Sequence, residues 1–251
     1  MSCVPALSTA TWPEINAFRE LLTEQVTNDE WLTDAAQHFA EALVSHFPSV
    51  ALARVFTVLP FDRLPESDAN VVRVFATRVD AAELLRPSTP VLSLLGTSGT
   101  EARWNDRNAS TGHLAIPLLS RELVEGAPML ARLLADLKFD LADLAEPRAI
   151  DSKRMMGGTN QRFFVPSAKT SVDERGRFII PAREFVELYR LETVFGMGGA
   201  YFDGTLVTAI LFTTERLDSL TVDRYPSIIS NFRMATTTAV RARRIYRPAP
   251  P

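Results

Sequence analysis

The sequence predicts an α+β fold, and three observations point to it. Two β-rich runs, Leu191–Phe202 and Thr205–Thr214, flank a single Asp203-Gly204 pair, a short-range hairpin signal. A helical run follows the hairpin to about Arg244, and two amphipathic helical stretches precede the first strand-like segment. A two-residue type I′ turn takes positive φ at both central positions, which Asp tolerates and Gly adopts freely, so the two runs are expected as antiparallel neighbours. Gly196, Gly198 and Gly199 sit inside the first of them, where missing side chains permit a bulge or a close approach by a ligand or another backbone.

Taken in order, Pro13–Val26 places Ile15, Phe18, Leu22 and Val26 on one helical stripe, with Pro13 suited to a first turn. Thr27-Asn-Asp-Glu30 reads as a capping box, after which Trp31, Ala35, Phe39, Leu43 and Phe47 run down one face of a second helix until Pro48. Ser49–Leu59 is short and continuously apolar, a strand buried on both faces. Asp68–Val79 reads as a helix, Pro90–Leu95 as a strand closed by Gly96, and His113–Leu118 as another strand. Ser120 caps a helix to Leu137 that Pro128 kinks or restarts, while Leu137–Thr159 shows no periodicity. Arg162–Val165 and Arg177–Ile180 are strand candidates around an Asp173–Gly176 turn, and Pro181–Leu188 gives one or two helical turns. The last helix, about Ser219–Arg244, buries Ile228, Ile229, Phe232, Ala235, Ala239 and Val240 and leaves a frayed Pro-containing tail.

Composition narrows the function. With 251 residues and 46% hydrophobic content the chain can bury one substantial core, divided here into a helical extension over 1–48 and a sheet domain over 49–251. A net charge of −3 supplies no global basic field for nucleic acid or an anionic membrane. Arginines near the last helix's end, Arg241, Arg243, Arg244 and Arg247, complement its dipole rather than mark DNA binding. The single cysteine, Cys3, cannot form a disulfide within the chain. No apolar run approaches the roughly 20 residues that cross a bilayer, and the start lacks a signal-peptide pattern, so a cytoplasmic protein is expected.

Catalytic and metal templates fail on inventory. His38 and His46 are too far apart on their helix for the i, i+4 pairing of a metal site. Phe195–Gly199 lacks both the full dinucleotide spacing and the helix that should follow. One block stands apart: Gly96–His113, where Trp104 offers a stacking face, Arg103 and Arg107 bidentate donors, and Asn105, Asp106 and His113 orienting groups for a small polar ligand. The competing structural reading is an Asx turn at Asn105-Asp106, a local ion pair of Arg107 with Asp106 or Glu101, and a His113 that merely opens a strand. No cofactor is assigned; an axial haem ligand at His113 is weighed and set below hydrogen-bonded structure.

The runs Trp104-Asn-Asp-Arg107, Gly112-His-Leu-Ala-Ile-Pro-Leu118 and Phe195-Gly-Met-Gly-Gly199 with its hairpin resemble the GAF-type sensory domains of bacterial histidine kinases and related signalling proteins. The resemblance covers roughly Ser49 to Arg244. It implies a GAF/PAS-like antiparallel sheet of about six strands flanked by helices, a ligand pocket on one sheet face, and signalling through terminal helices paired in a homodimer. Because the sequence stops at Pro251, output is expected from a separate partner such as a histidine kinase. The expected site gathers Trp104, Asn105, Asp106, Arg107 and His113 against Phe195, Gly196, Gly198 and Gly199 in one cavity. The expected role is a stand-alone, non-catalytic regulatory domain that binds a small molecule or partner protein, the alternative being a ligand-free interaction module of the same fold. At the hairpin, Gly204→Val is expected to cost about 1–3 kcal/mol in denaturant unfolding, because a β-branched residue is forced to positive φ.

Overall fold

The computed structural model describes residues 5–110, 112–139 and 161–248. Strands β1 (Val50–Pro60), β2 (Pro90–Gly99), β3 (Ala115–Pro117), β4 (Gln161–Val165), β5 (Thr193–Ala200) and β6 (Leu206–Thr213) form one six-stranded sheet in the order β3-β2-β1-β6-β5-β4. Every neighbouring pair is antiparallel, so the α+β class expected from the sequence is the class observed. Two three-stranded meanders join where β1 meets β6 in the middle of the sheet, and both central strands are largely buried on both faces because both faces are covered.

Helices α1 (Trp12–Val26), α2 (Leu32–His46) and α8 (Pro226–Arg241) cover one face, called here the inner face. Ile15, Phe18 and Leu22 of α1 and Ala35, Phe39 and Leu43 of α2 share a single core with Val55, Met197 and Leu211 of the sheet. Phe39 stacks on Phe232 of α8 with ring centroids 4.7 Å apart. A Cβ on Gly96 would stand 2.4 Å from the backbone of Ala36, so this glycine is what lets α2 lie directly on β2. The expected boundary at residues 48 and 49 therefore falls inside a continuous core. The stripe of Ala35, Phe39, Leu43 and Phe47 is spent inside the chain, and Trp31 at its start is half-buried.

Several local expectations are corrected. Thr27 closes α1 instead of capping α2, and the capping box lies one helix earlier, where Glu14 accepts the Thr11 N–H at 2.7 Å. Helix α2 has no side-chain cap; its Leu32 and Thr33 N–H groups donate to the carbonyls of Arg244 and Ile245 at 2.9 Å each, and Arg247 N–H donates to Thr33 Oγ1 at 3.1 Å. The segment just past the last helix is thus held through Arg247, and of the tail expected to fray at Pro248 and Pro250, residues 249–251 lie outside the described residues. Arg177–Ile180 forms only an isolated bridge, Val172 with Phe178. Pro128 restarts the middle helix as α4 (Arg121–Gly126) and α5 (Pro128–Asp136), and Pro226 does the same late in the chain, separating α7 (Ser219–Val222) from α8. Helix α6 (Arg183–Leu188) precedes the hairpin. The unpatterned stretch after Leu137 lies, from residue 140 to 160, outside the described residues.

The hairpin forms without the type I′ turn and without a bulge between Thr193 and Ala200. Tyr201 N–H bonds to Thr205 O at 2.9 Å, Gly204 N–H returns to Tyr201 O at 3.0 Å, and of the pair only Gly204 takes positive φ, 84°. This is the three-residue loop closed by a left-handed glycine, so the strain argument for Gly204 stands and Asp203 instead accepts the Thr205 N–H. Among the described residues no helix is long and apolar enough to cross a membrane.

One packing choice predicts a pH response. The His46 ring lies between Phe18 and Phe47, at 4.5 and 4.7 Å, with Nε2 buried and without a hydrogen-bond partner. Burial holds its pKa below the ordinary histidine value, against a weaker opposing pull from Glu14. The unfolded chain therefore binds a proton that the folded one resists, so stability should fall as pH drops through about 6.5. Urea melts between pH 7.5 and 5.5 should show that loss, and His46→Gln should remove most of the slope.

Candidate functional site

The polar block after Gly96 first solves a problem of the sheet edge. Strand β3 pairs only with Val91, Leu92 and Ser93, so the outward backbone groups of β2 beyond them need other partners. Side chains supply them. Leu94 O accepts Arg107 Nε–H at 2.8 Å, Gln37 takes Thr97 N–H at 3.0 Å and donates to Thr97 O at 2.9 Å, and Asn105 Oδ1 accepts Gly99 N–H at 2.8 Å. Gln37 of α2 acts as a short substitute strand.

Arg107 goes further inward than the sequence suggested. Its Nη2 reaches Asp68 Oδ2 at 2.5 Å, a carboxylate of α3 (Glu66–Arg78) with no solvent exposure. Ser67 Oγ donates to the other carboxylate oxygen at 3.1 Å. Arg107 also lies 5.5 Å from the ring of Tyr246, whose hydroxyl donates to Ser93 Oγ at 2.9 Å. Burial pushes the Tyr246 phenol well above its usual range, so it remains a neutral donor. Asp68, Ser93 and Tyr246 escaped sequence reasoning. The available signal was a carboxylate at 68 in line with Val72 and Ala76, on the stripe where a helix buries its apolar residues.

Trp104, three residues away, goes to the opposite, outer face. It fills the space left by Gly99, where a Cβ would meet its ring at 2.6 Å, and packs against Tyr189 and Phe185 at 4.6 and 5.6 Å. Phe185 in turn meets Phe212 of β6. Gly196 also faces this side, beside Phe163, and the space at Gly198 is taken by Leu137, 2.7 Å from a notional Cβ. Phe195 and Gly199 look the other way, onto Tyr225 and Arg233 under α8. Asn105 and Asp106 are exposed, and Asp106 accepts the Asn108 N–H in an Asx turn. His113 is exposed in a turn ahead of β3 rather than opening the strand.

The expected single cavity is therefore not assembled, because alternation along β5 sends its glycines to both faces and the loop after β2 divides its side chains between them. Among the described residues, buried polar atoms without a partner remain on the outer side at Arg54, Thr97 and Gln161. Arg54 of β1 is half-buried, with Nε sealed from solvent and unpartnered, and Thr97 directly opposite it on β2 has a buried, unpartnered Oγ1. No cluster of three metal-ligating side chains occurs among the described residues, and Cys3 lies outside them.

No family model and no curated protein matches the chain. Among solved structures it is similar to the free methionine-R-sulfoxide reductase of Neisseria meningitidis, at 8% identity and TM-score 0.48 over 96% of this chain and 99% of that one. It is also similar to the GAF domain of an Acinetobacter phosphoenolpyruvate-protein phosphotransferase, at 10% identity and TM-score 0.45, covering 90% and 94%. A third is the phycoerythrobilin-bound GAF domain of a cyanobacterial phytochrome, at 9% and 0.47, covering 91% and 97%. Likeness at this level says nothing of activity.

The Arg107–Asp68 pair yields a stability prediction. Arg107→Met should cost about 3–5 kcal/mol in denaturant unfolding, because it strands a buried carboxylate. Combining it with Asp68→Asn should recover much of the loss, as the charge is then gone from both sides.

Proposed function

We propose that this chain is a GAF-like, non-catalytic regulatory domain that takes a small ligand on the outer face of its sheet and passes the bound state to its C-terminal tail. The supporting observation is the loop between Gly99 and Ser110. One end of it places Trp104 among the outer-face aromatics, and the other places Arg107 on Asp68 and under Tyr246 of the tail. A ligand that moves Trp104 acts on a segment that also holds the tail, and the tail in turn bonds the first turn of α2. The non-catalytic part of the reading rests on the sequence inventory of one cysteine and three histidines. The kinship to histidine-kinase-associated sensors, the cytoplasmic location, the homodimer and the separate output protein belong to the same proposal.

A second reading has one observation in its favour. Leu137 occupies the space over Gly198, so part of the outer face is filled by the chain itself, as a ligand-free interaction module would require.

Two measurements separate the readings. Native mass spectrometry of protein purified without denaturation should show a retained small molecule, together with the subunit number; bare chain alone favours the module. In Trp104→Ala, amide exchange at Leu32, Thr33 and Arg247 should accelerate several-fold while Ala209 and Leu211 in β6 stay protected. Acceleration confined to Phe185–Tyr189 counts against coupling to the tail.

A further inference from the structure

Arg54 places on the outer face a positive charge with no ion-pair partner among the described residues. Arg54 sits in the middle of the sheet, paired with Thr97 on one side and Ile210 on the other. Its neighbours along the same face, Leu52, Phe56, Leu94 and Ile210, are buried and apolar. Guanidinium groups stay protonated near neutral pH, and burial here pushes Arg54 only down to about 10. Native proteins satisfy buried charges with a counter-charge and hydrogen bonds, yet no carboxylate or carbonyl among the described residues takes the Arg54 Nε–H.

The second unspent group lies beside it. Directly opposed residues on antiparallel strands project their side chains to the same face with Cβ atoms about 5 Å apart, so the Thr97 and Arg54 side chains leave the sheet side by side. Both are donors, and both lack an acceptor among the described residues. Two adjacent donors, one of them cationic, with an apolar surround, are complementary to one oxyanion carried by an otherwise apolar molecule. A single guanidinium balances a single negative charge, which favours a carboxylate over a doubly charged phosphate ester.

We infer that Arg54 and Thr97 form the anchor of a monocarboxylate-binding site on the outer face, with Leu52, Phe56, Leu94 and Ile210 receiving the apolar body of the ligand. The inference rests on the ligand-binding reading above and narrows it to a chemical class. Arg54 Nε–H and the Thr97 hydroxyl donate to the carboxylate oxygens, and binding neutralises a charge that the free protein keeps half-buried.

The test compares acids with their uncharged isosteres. Phenylacetate and a straight-chain series from butyrate to decanoate are titrated against the full chain beside the corresponding amides, with binding followed by calorimetry and thermal shift. The acid should bind at least about tenfold more tightly than its amide, the scale of a charged hydrogen bond. In Arg54→Met that preference should disappear while the ligand-free melting temperature does not fall, because the variant removes a half-buried charge that no described residue pairs. In Thr97→Val, which leaves the charge in place, acid binding should weaken several-fold. Acid and amide binding equally well to the wild-type chain, or a preference surviving in Arg54→Met, overturns the carboxylate inference and leaves ligand binding intact. No binding by either series also overturns the carboxylate inference, and the ligand-binding reading is then decided by whether native mass spectrometry shows a retained molecule.

Discussion

The ion pair between Arg107 and Asp68 is the contact on which the remaining arrangement of this edge depends. Asp68 is wholly buried on α3, and a buried carboxylate survives only with a close counter-charge and further donors. Meeting that requirement fixes Arg107, and fixing Arg107 fixes the loop after β2. The same guanidinium closes the Leu94 carbonyl and lies against Tyr246, so one side chain joins α3, the sheet edge and the C-terminal tail. Removing water from this junction makes its geometry stringent, since none of the three partners can relax without uncovering another.

The edge of β2 shows the same economy. A strand edge left bare invites pairing with another chain, and the short β3 shields only its first part. Gln37, Asn105 and Arg107 finish the shielding with amide and guanidinium groups. Polar residues of the kind that surround a ligand can equally serve as backbone partners, and composition alone does not separate the two uses.

That ambiguity explains what the sequence could and could not reveal. The stripes Ile15–Phe18–Leu22–Val26 and Ala35–Phe39–Leu43, the doubly buried β1 and the hairpin at Gly204 were legible because periodicity and turn chemistry are local. The destination of those stripes was not, because nothing local distinguishes a face packed on its own sheet from one packed on a second copy. The site was the least legible part. Trp104 and Arg107 were rightly singled out as unusual, but they diverge to opposite faces, and their partners Tyr189 and Asp68 are distant in sequence. Arg54 was hidden inside an apolar run, where one charged residue in a central strand is easily passed over. A cation in such a strand is itself the signal, since burying it costs free energy that something must offset.

The hydrogen bonds from the first turn of α2 to the carbonyls of Arg244 and Ile245 set an order of events during synthesis. Helix α2 leaves the ribosome well before those residues, with its apolar face ready and the bare Gly96 position it rests on following soon after. Its end cap is contributed from far downstream in the chain. Until they arrive, α2 is held by packing alone, with two donors open to water or to any carbonyl within reach. A nascent chain therefore presents an unfinished helix start until those downstream residues have been made, which is where a chaperone would have something to hold.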